Sequence, residues 1–168
     1  MDILAELKSR VEKVQEGLQG AMIRDVVSKH GNDVLELQQL QLLRGLSSSG
    51  EDMRPYYSED LKPGGYFNTK ESAGRYAAWK QTLSYPYSAS RNVDAPNLYV
   101  NGKFHSELGV EFGADSVKVD GETSYAKGIV AKYGLRNFGL MTEYWNEIFF
   151  NRGALEELMN EIKSVIYG

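Results

Sequence analysis

The chain has 168 residues, no cysteine, and 19 Lys+Arg against 23 Asp+Glu, a formal charge of -4. That length suits one domain with its own core, and a composition 42% hydrophobic and 25% charged excludes wholesale disorder. Net acidity argues against gripping phosphate backbones through a basic surface, and the missing cysteines remove disulfides, thiol catalysis and thiolate metal sites together. Two histidines, His30 and His105, leave little material for zinc, so neither a metal nor a cofactor is expected. The start, MDILAELKSR, mixes acids and bases and lacks a signal peptide's apolar core, and nowhere do eighteen apolar residues run together. A soluble protein without membrane contact is the expectation. Nineteen aromatics, eleven of them Tyr, suit either a core finished with amphipathic rings or a Tyr-rich contact surface.

In chain order, Leu4, Leu7, Val11, Val14, Leu18, Met22 and Val26 recur at three- and four-residue steps and predict an N-terminal helix over residues 1–31. Gly31 supplies its stop, and Gly17 and Gly20 weaken its middle by roughly 1 kcal/mol each relative to Ala. The stripe can dock on its own domain or seam with a neighbouring copy, and docking is favoured. Residues 33–46 are apolar with an ambiguous period and are read as helix. From Ser47 to Thr69 the SSSG run, Pro55, Pro63 and a Gly pair predict a long loop or arm. Within it Arg54, Tyr56 and Tyr57, around Pro55, form an arginine–aromatic group suited to contacting a neighbouring subunit.

Thr69 caps a predicted helix over 70–83 whose heavier face is Ala73, Tyr76, Ala77 and Trp79, and Tyr85 to Ser90 is irregular. From Leu98 the period shifts to two: Leu108, Val110 and Phe112, then Val117 and Val119 after a turn at 113–116, predict a hairpin with one buried face. A helix from Tyr125 to Tyr133 closes at Gly134, and a long C-terminal helix over 142–166 carries a weak point at Asn151-Arg152-Gly153. The expected fold is α+β: one domain over 1–168, a small antiparallel sheet with a central hairpin in a 98–150 core, packed by long N- and C-terminal helices.

Catalytic motifs are missing from this sequence. It has no GxxxxGK[ST] and no GxGxxG, and GLSSSG at 45–50 lacks the GxSxG spacing of a nucleophile turn. His30 closes a helix, where a cation favours the dipole, and His105 is expected to face solvent at the start of the hairpin. The carboxylate pairs Glu143/Glu147 and Glu157/Glu161 fall on the polar side of the last helix, and the acids between Asp115 and Glu122 lack the spacing of a calcium loop. A non-enzymatic role is the expectation.

The segment 98–146 carries Leu98, Gly102 and Phe104 in an L-x-x-x-G-x-F turn, then the hairpin. A helix opening on Tyr125-Ala126 and closed by Gly134 follows, then Arg136, Phe138 and Leu140, then the final helix. In this order the motifs resemble the neck and tail-completion (virion morphogenesis) proteins of tailed bacteriophages, over roughly residues 37–150. Trp79-Lys80 and the GLSSSGEDMRPYYS stretch match the upstream half. Asn101 stands where that family has threonine, and no proline precedes Arg136. The resemblance implies a viral structural protein of the head–tail connector. Such proteins assemble as an oligomeric ring, six- or twelve-fold, between portal-side and tail proteins, and DNA only passes through. A tail terminator, or a protein-binding adaptor outside a virion, are the alternatives. On physical grounds Gly102 turns the chain into the hairpin, Tyr125 and Tyr133 pack their helix on the sheet, and Phe138 seals the end helix.

Overall fold

The computed structural model describes residues 3–18, 20–53, 67, 69–84, 96–113 and 116–167. Its N-terminal stretch is three helices: α1 (Ile3–Leu18), α2 (Ala21–Lys29) and α3 (Gly31–Leu43). The single helix expected over 1–31 breaks at Gly20, which leaves helical geometry at φ -173 and ψ -84. Glycine gives up the most backbone freedom in a helix, so the chain breaks there first. Gly31 does not stop a helix but opens α3, because His30 ends α2 and begins α3 at once.

Helix α4 (Lys70–Gln81) starts where the sequence predicts, with the Thr69 side chain accepting from Ser72 N and the Ser72 side chain returning the bond. Its inward face differs from expectation. Ala73 and Ala77 are buried with Phe67 and Tyr76 in a small cluster of their own, whereas Trp79 is 45% exposed and Lys80 only 4%. Lys80 Nζ donates to the Tyr99 carbonyl, which ties α4 to the segment before the hairpin.

The alternation expected from Leu98 begins ten residues later. Gly102, at φ 82, turns the chain into a short helix, α5 (Lys103–Ser106), and only then do β1 (Leu108–Phe112) and β2 (Val117–Gly121) pair antiparallel. The register sets Leu108 opposite Gly121, Val110 opposite Val119 and Phe112 opposite Val117. Leu108 and Val119 face the core, at 4% and 2% exposure. Helix α6 (Ser124–Tyr133) then folds onto β2, its first turn capped by Thr123 and its end turned by Gly134 at φ 85.

The close approach of α6 to β2 makes Gly121 indispensable. A Cβ there would lie 2.4 Å from the Ala126 carbonyl carbon and 2.5 Å from Lys127 N, backbone atoms that cannot rotate away. Gly121→Ala should therefore destabilise by about 2 kcal/mol through overpacking. For a chain this long that is roughly a 6 °C fall in melting temperature, while Gly74→Ala, inside α4 where a Cβ would meet open space, should raise it by about 3 °C.

The C-terminal helix expected over 142–166 is also interrupted. A turn of 3-10 helix (Leu135–Asn137) leads to α7 (Thr142–Asn146), a π-helical turn follows over Glu147–Asn151, and Gly153 at φ 91 separates these from α8 (Ala154–Tyr167). The predicted weak point is thus a break. The main core lies where α3, the hairpin, α6 and the 138–158 stretch meet, with Val34, Leu42 and Ile148 fully buried and Phe104 edge-on to Phe138 at 6.1 Å. Full burial of each such side chain stabilises by about 2 kcal/mol. The result is a small α+β fold: among the described residues, helices surround a two-stranded antiparallel sheet.

Candidate assembly interface

The motif residues fall into two groups. Phe104, Ala126 and Phe138 are buried in the main core, with Leu98 and Tyr133 packed against it, while Gly102 and Gly134 take the positive φ their turns require. These serve the fold. Tyr125 does not pack its helix on the sheet: it is 50% exposed, with Lys103 Nζ 5.0 Å above its ring. Its place at the start of α6 lies on the outer side of the turn, and the small Ala126 makes the close contact with β2 instead. Arg136 is exposed, and its carbonyl accepts from Ser48 N and Ser48 Oγ, fastening the 47–50 turn to the 3-10 turn that follows α6. The predicted contact group Arg54, Tyr56 and Tyr57 lies outside the described residues.

Sequence reasoning missed the polar residues of the interior. Gln41 donates to the Gly139 carbonyl (2.9 Å) and accepts from Met141 N (2.9 Å), while Gln38 Oε1 accepts from Gly139 N (2.6 Å). Two glutamines one helical turn apart thus hold the strand-like link before α7. His105 is not solvent-facing: it is 5% exposed, hydrogen-bonded to the Asn97 carbonyl at 3.1 Å and edge-on to Tyr99. Burial pushes its pKa down to about 4, against the Asn97 bond and with help from Lys80. Burial likewise lowers Lys80 to about 8.

His30 does more than close α2. Nδ1 lies 2.8 Å from Asp33 and Nε2 3.4 Å from Glu157, while Lys29 reaches Glu157 and Glu161 and Arg152 reaches Asp33 and Glu36. Burial opposes ionisation of Asp33, yet its bonds to Arg152 and His30 hold the carboxyl below the usual range. The acids of α8 that the sequence assigns to a solvated face therefore clasp the α2–α3 junction. Among the described residues no group of three His, Cys, Asp or Glu is placed to hold a metal ion, and no helix is long and apolar enough to cross a membrane.

The surface supplies the remaining candidates. Leu4, Leu7, Val11, Val14 and Leu18 share one face of α1, and exposure rises along it toward the N-terminus: Val14 9%, Val11 43%, Leu7 52%, Leu4 80%. Leu18 packs on the main core, and Arg10 bonds the Ile166 carbonyl near the end of α8, so the lower half of α1 is docked and the upper half projects. An open cleft of about 580 Å³ lies between Leu18, Ile23, Val27, Val117, Trp145 and Phe149. Beside it, across the Gly153 break, Phe150 and Met159 are 67% and 48% exposed around a depression of about 380 Å³. Exposed aromatic and methionine side chains beside hollows are the composition of protein–protein contacts. No family model matches the chain, and no curated protein or solved structure matches it significantly.

Proposed function

We propose that this chain is a structural protein of a tailed-phage particle, placed at the joint between head and tail, where copies form a ring that continues the DNA conduit and offers a docking face to the tail. The observation that carries the reading is the ordered series Leu98–Gly102–Phe104, Tyr125–Ala126, Gly134, Arg136 and Phe138. The apolar upper half of α1 and the Phe150–Met159 surface support it, since a closed ring needs two different patches on each copy, complementary to each other. The role is mechanical and asks for no catalytic group. A wall of net charge -4 passes DNA without gripping it. Portal-side and tail proteins are the partners on the two ring faces, and the assembled virion is the location.

The test is to purify particles from the producing strain and count this chain per particle by quantitative mass spectrometry. Six or twelve copies are expected, and loss of the gene should leave filled heads unjoined to tails. Tails of uncontrolled length in that mutant would assign the chain to the tail terminator instead. Absence of the chain from intact particles would overturn the virion reading in favour of an adaptor.

A further inference from the structure

Two buried basic side chains from different helices grip one short strap of chain. Lys80 on α4 and His105 on α5 bind carbonyls two residues apart: Lys80 Nζ donates to Tyr99, and His105 Nε2 to Asn97 at 3.1 Å. Between those carbonyls Leu98 sits at φ 53, a left-handed backbone that is costly for leucine and persists where neighbours enforce it. The Asn97 side chain tightens the bend by accepting from Tyr99 N at 3.1 Å. The strap 97–99 is thus held strained between α4 and α5. Helix α4 itself buries Ala73 and Ala77 with Phe67 and Tyr76, in a cluster separate from the main core that holds Phe104 of α5.

We propose that the strap 97–99 and α4 form an acid-sensitive latch: they lift together from the main core, with α3, the hairpin and α6 still folded, and leave the His105 ring open to water. The groups facing the imidazole account for the sensitivity. Lys80 comes from α4, the Tyr99 ring stands edge-on at 5.4 Å, and α3 offers the neutral Gln39, which donates to the His105 carbonyl. On α5 and its cap, Lys103 and Glu107 face each other at 3.9 Å. Among the described residues no carboxylate bonds the ring, so a proton taken up in the closed state is buried near a lysine. Burial opposes that proton, the Asn97 bond favours it, and Lys80 opposes it again. In the open state the ring is in water and takes the proton freely, so acid favours opening. Lys80, lowered by burial to about 8, is charged in both states below pH 7 and adds little slope there. The latch needs no particle and is independent of the virion reading.

Native-state hydrogen exchange on the full chain, run against urea at pH 7 and pH 5, tests this. The amides of Ala77 and Lys80 in α4 should exchange together, through an opening with a shallow urea dependence. Those of Val34 and Leu42 in α3 should need the steep global transition, because the urea slope follows the surface exposed. With the intrinsic exchange rate divided out, α4 protection in low urea should fall about twenty-fold from pH 7 to pH 5. In His105→Gln, which keeps a donor for Asn97 but takes no proton, that fall should vanish. Exchange of the α4 amides on the same steep curve as Val34 would overturn the latch, since α4 would then open only with the whole chain. So would α4 protection that ignores pH in the wild type, which would mean that α4 opens without baring His105. A pH fall that survives in His105→Gln would place the proton on another group and overturn it as well.

Discussion

Gln41→Met is expected to destabilise the protein by about 4 kcal/mol, although it replaces a polar residue in the core by an apolar one of similar length. Gln41 is fully buried, and its amide serves two backbone groups of one segment, the Gly139 carbonyl and the Met141 N–H. Methionine fills the space and leaves both groups unpaired, and each buried unsatisfied backbone group costs about 1–3 kcal/mol. The link at 139–141 leads directly into α7 and the fully buried Ile148, so its loosening is felt in the main core. Gln38→Met provides the contrast. It removes one bond to Gly139 N, but it also removes a buried Nε2 that has no partner among the described residues, so the expected loss is smaller, about 1 kcal/mol. Urea unfolding of both variants, read as a shift in midpoint at constant slope, separates them. Equal losses, or a Gln41→Met loss below that of Gln38→Met, would show that the two glutamines do not hold this link.

These two glutamines also explain what the sequence conceals. Period-two alternation at Leu108–Phe112 and Val117–Gly121 is legible because one face of the hairpin is buried and the other is wet. The ends of α6 are legible because Thr123 and Gly134 are cap chemistry, which acts locally. In α3 the inward positions include Gln38 and Gln41, so the apolar period is broken by side chains whose partners lie about a hundred residues away. No local pattern announces such a bond. Lys80 is hidden the same way, its reason being the Tyr99 carbonyl. The N- and C-terminal stripes are legible as faces but not as continuous helices. Gly20 and Gly153 break them, and whether a glycine is tolerated in a helix or ends it depends on what the next segment packs against. On the surface, the upper half of α1 is written in the sequence as plainly as the lower half. What periodicity does not reveal is where the cover stops.

His105 is the clearest misreading, and it has a measurable consequence. Extending the hairpin's alternation back to Leu98 puts this residue on a wet face, but Gly102 turns the backbone into α5 and folds the imidazole inward against Asn97 and Tyr99. Burial lowers its pKa from 6.5 to about 4, so between these values the unfolded chain binds a proton that the folded chain does not. Stability must then rise with pH across that window, and is lost as pH falls from 6.5 to 4. A shift of this size corresponds to about 3 kcal/mol. Below pH 4 both states carry the proton and the slope from His105 vanishes, while Asp33, held low by Arg152 and His30, loses its contribution only below its ordinary value of 3.8. The expected record is therefore a fall in unfolding free energy between pH 6.5 and 4 that is largely absent in His105→Gln, which keeps a donor for the Asn97 carbonyl but cannot be protonated. With two histidines in the chain, one variant assigns both imidazole resonances, and NMR titration reads the folded-state value directly. A wild-type His105 titrating near 6.5, or a variant with the same pH slope as the wild type, would place the imidazole in solvent and remove the link between α5 and acid stability.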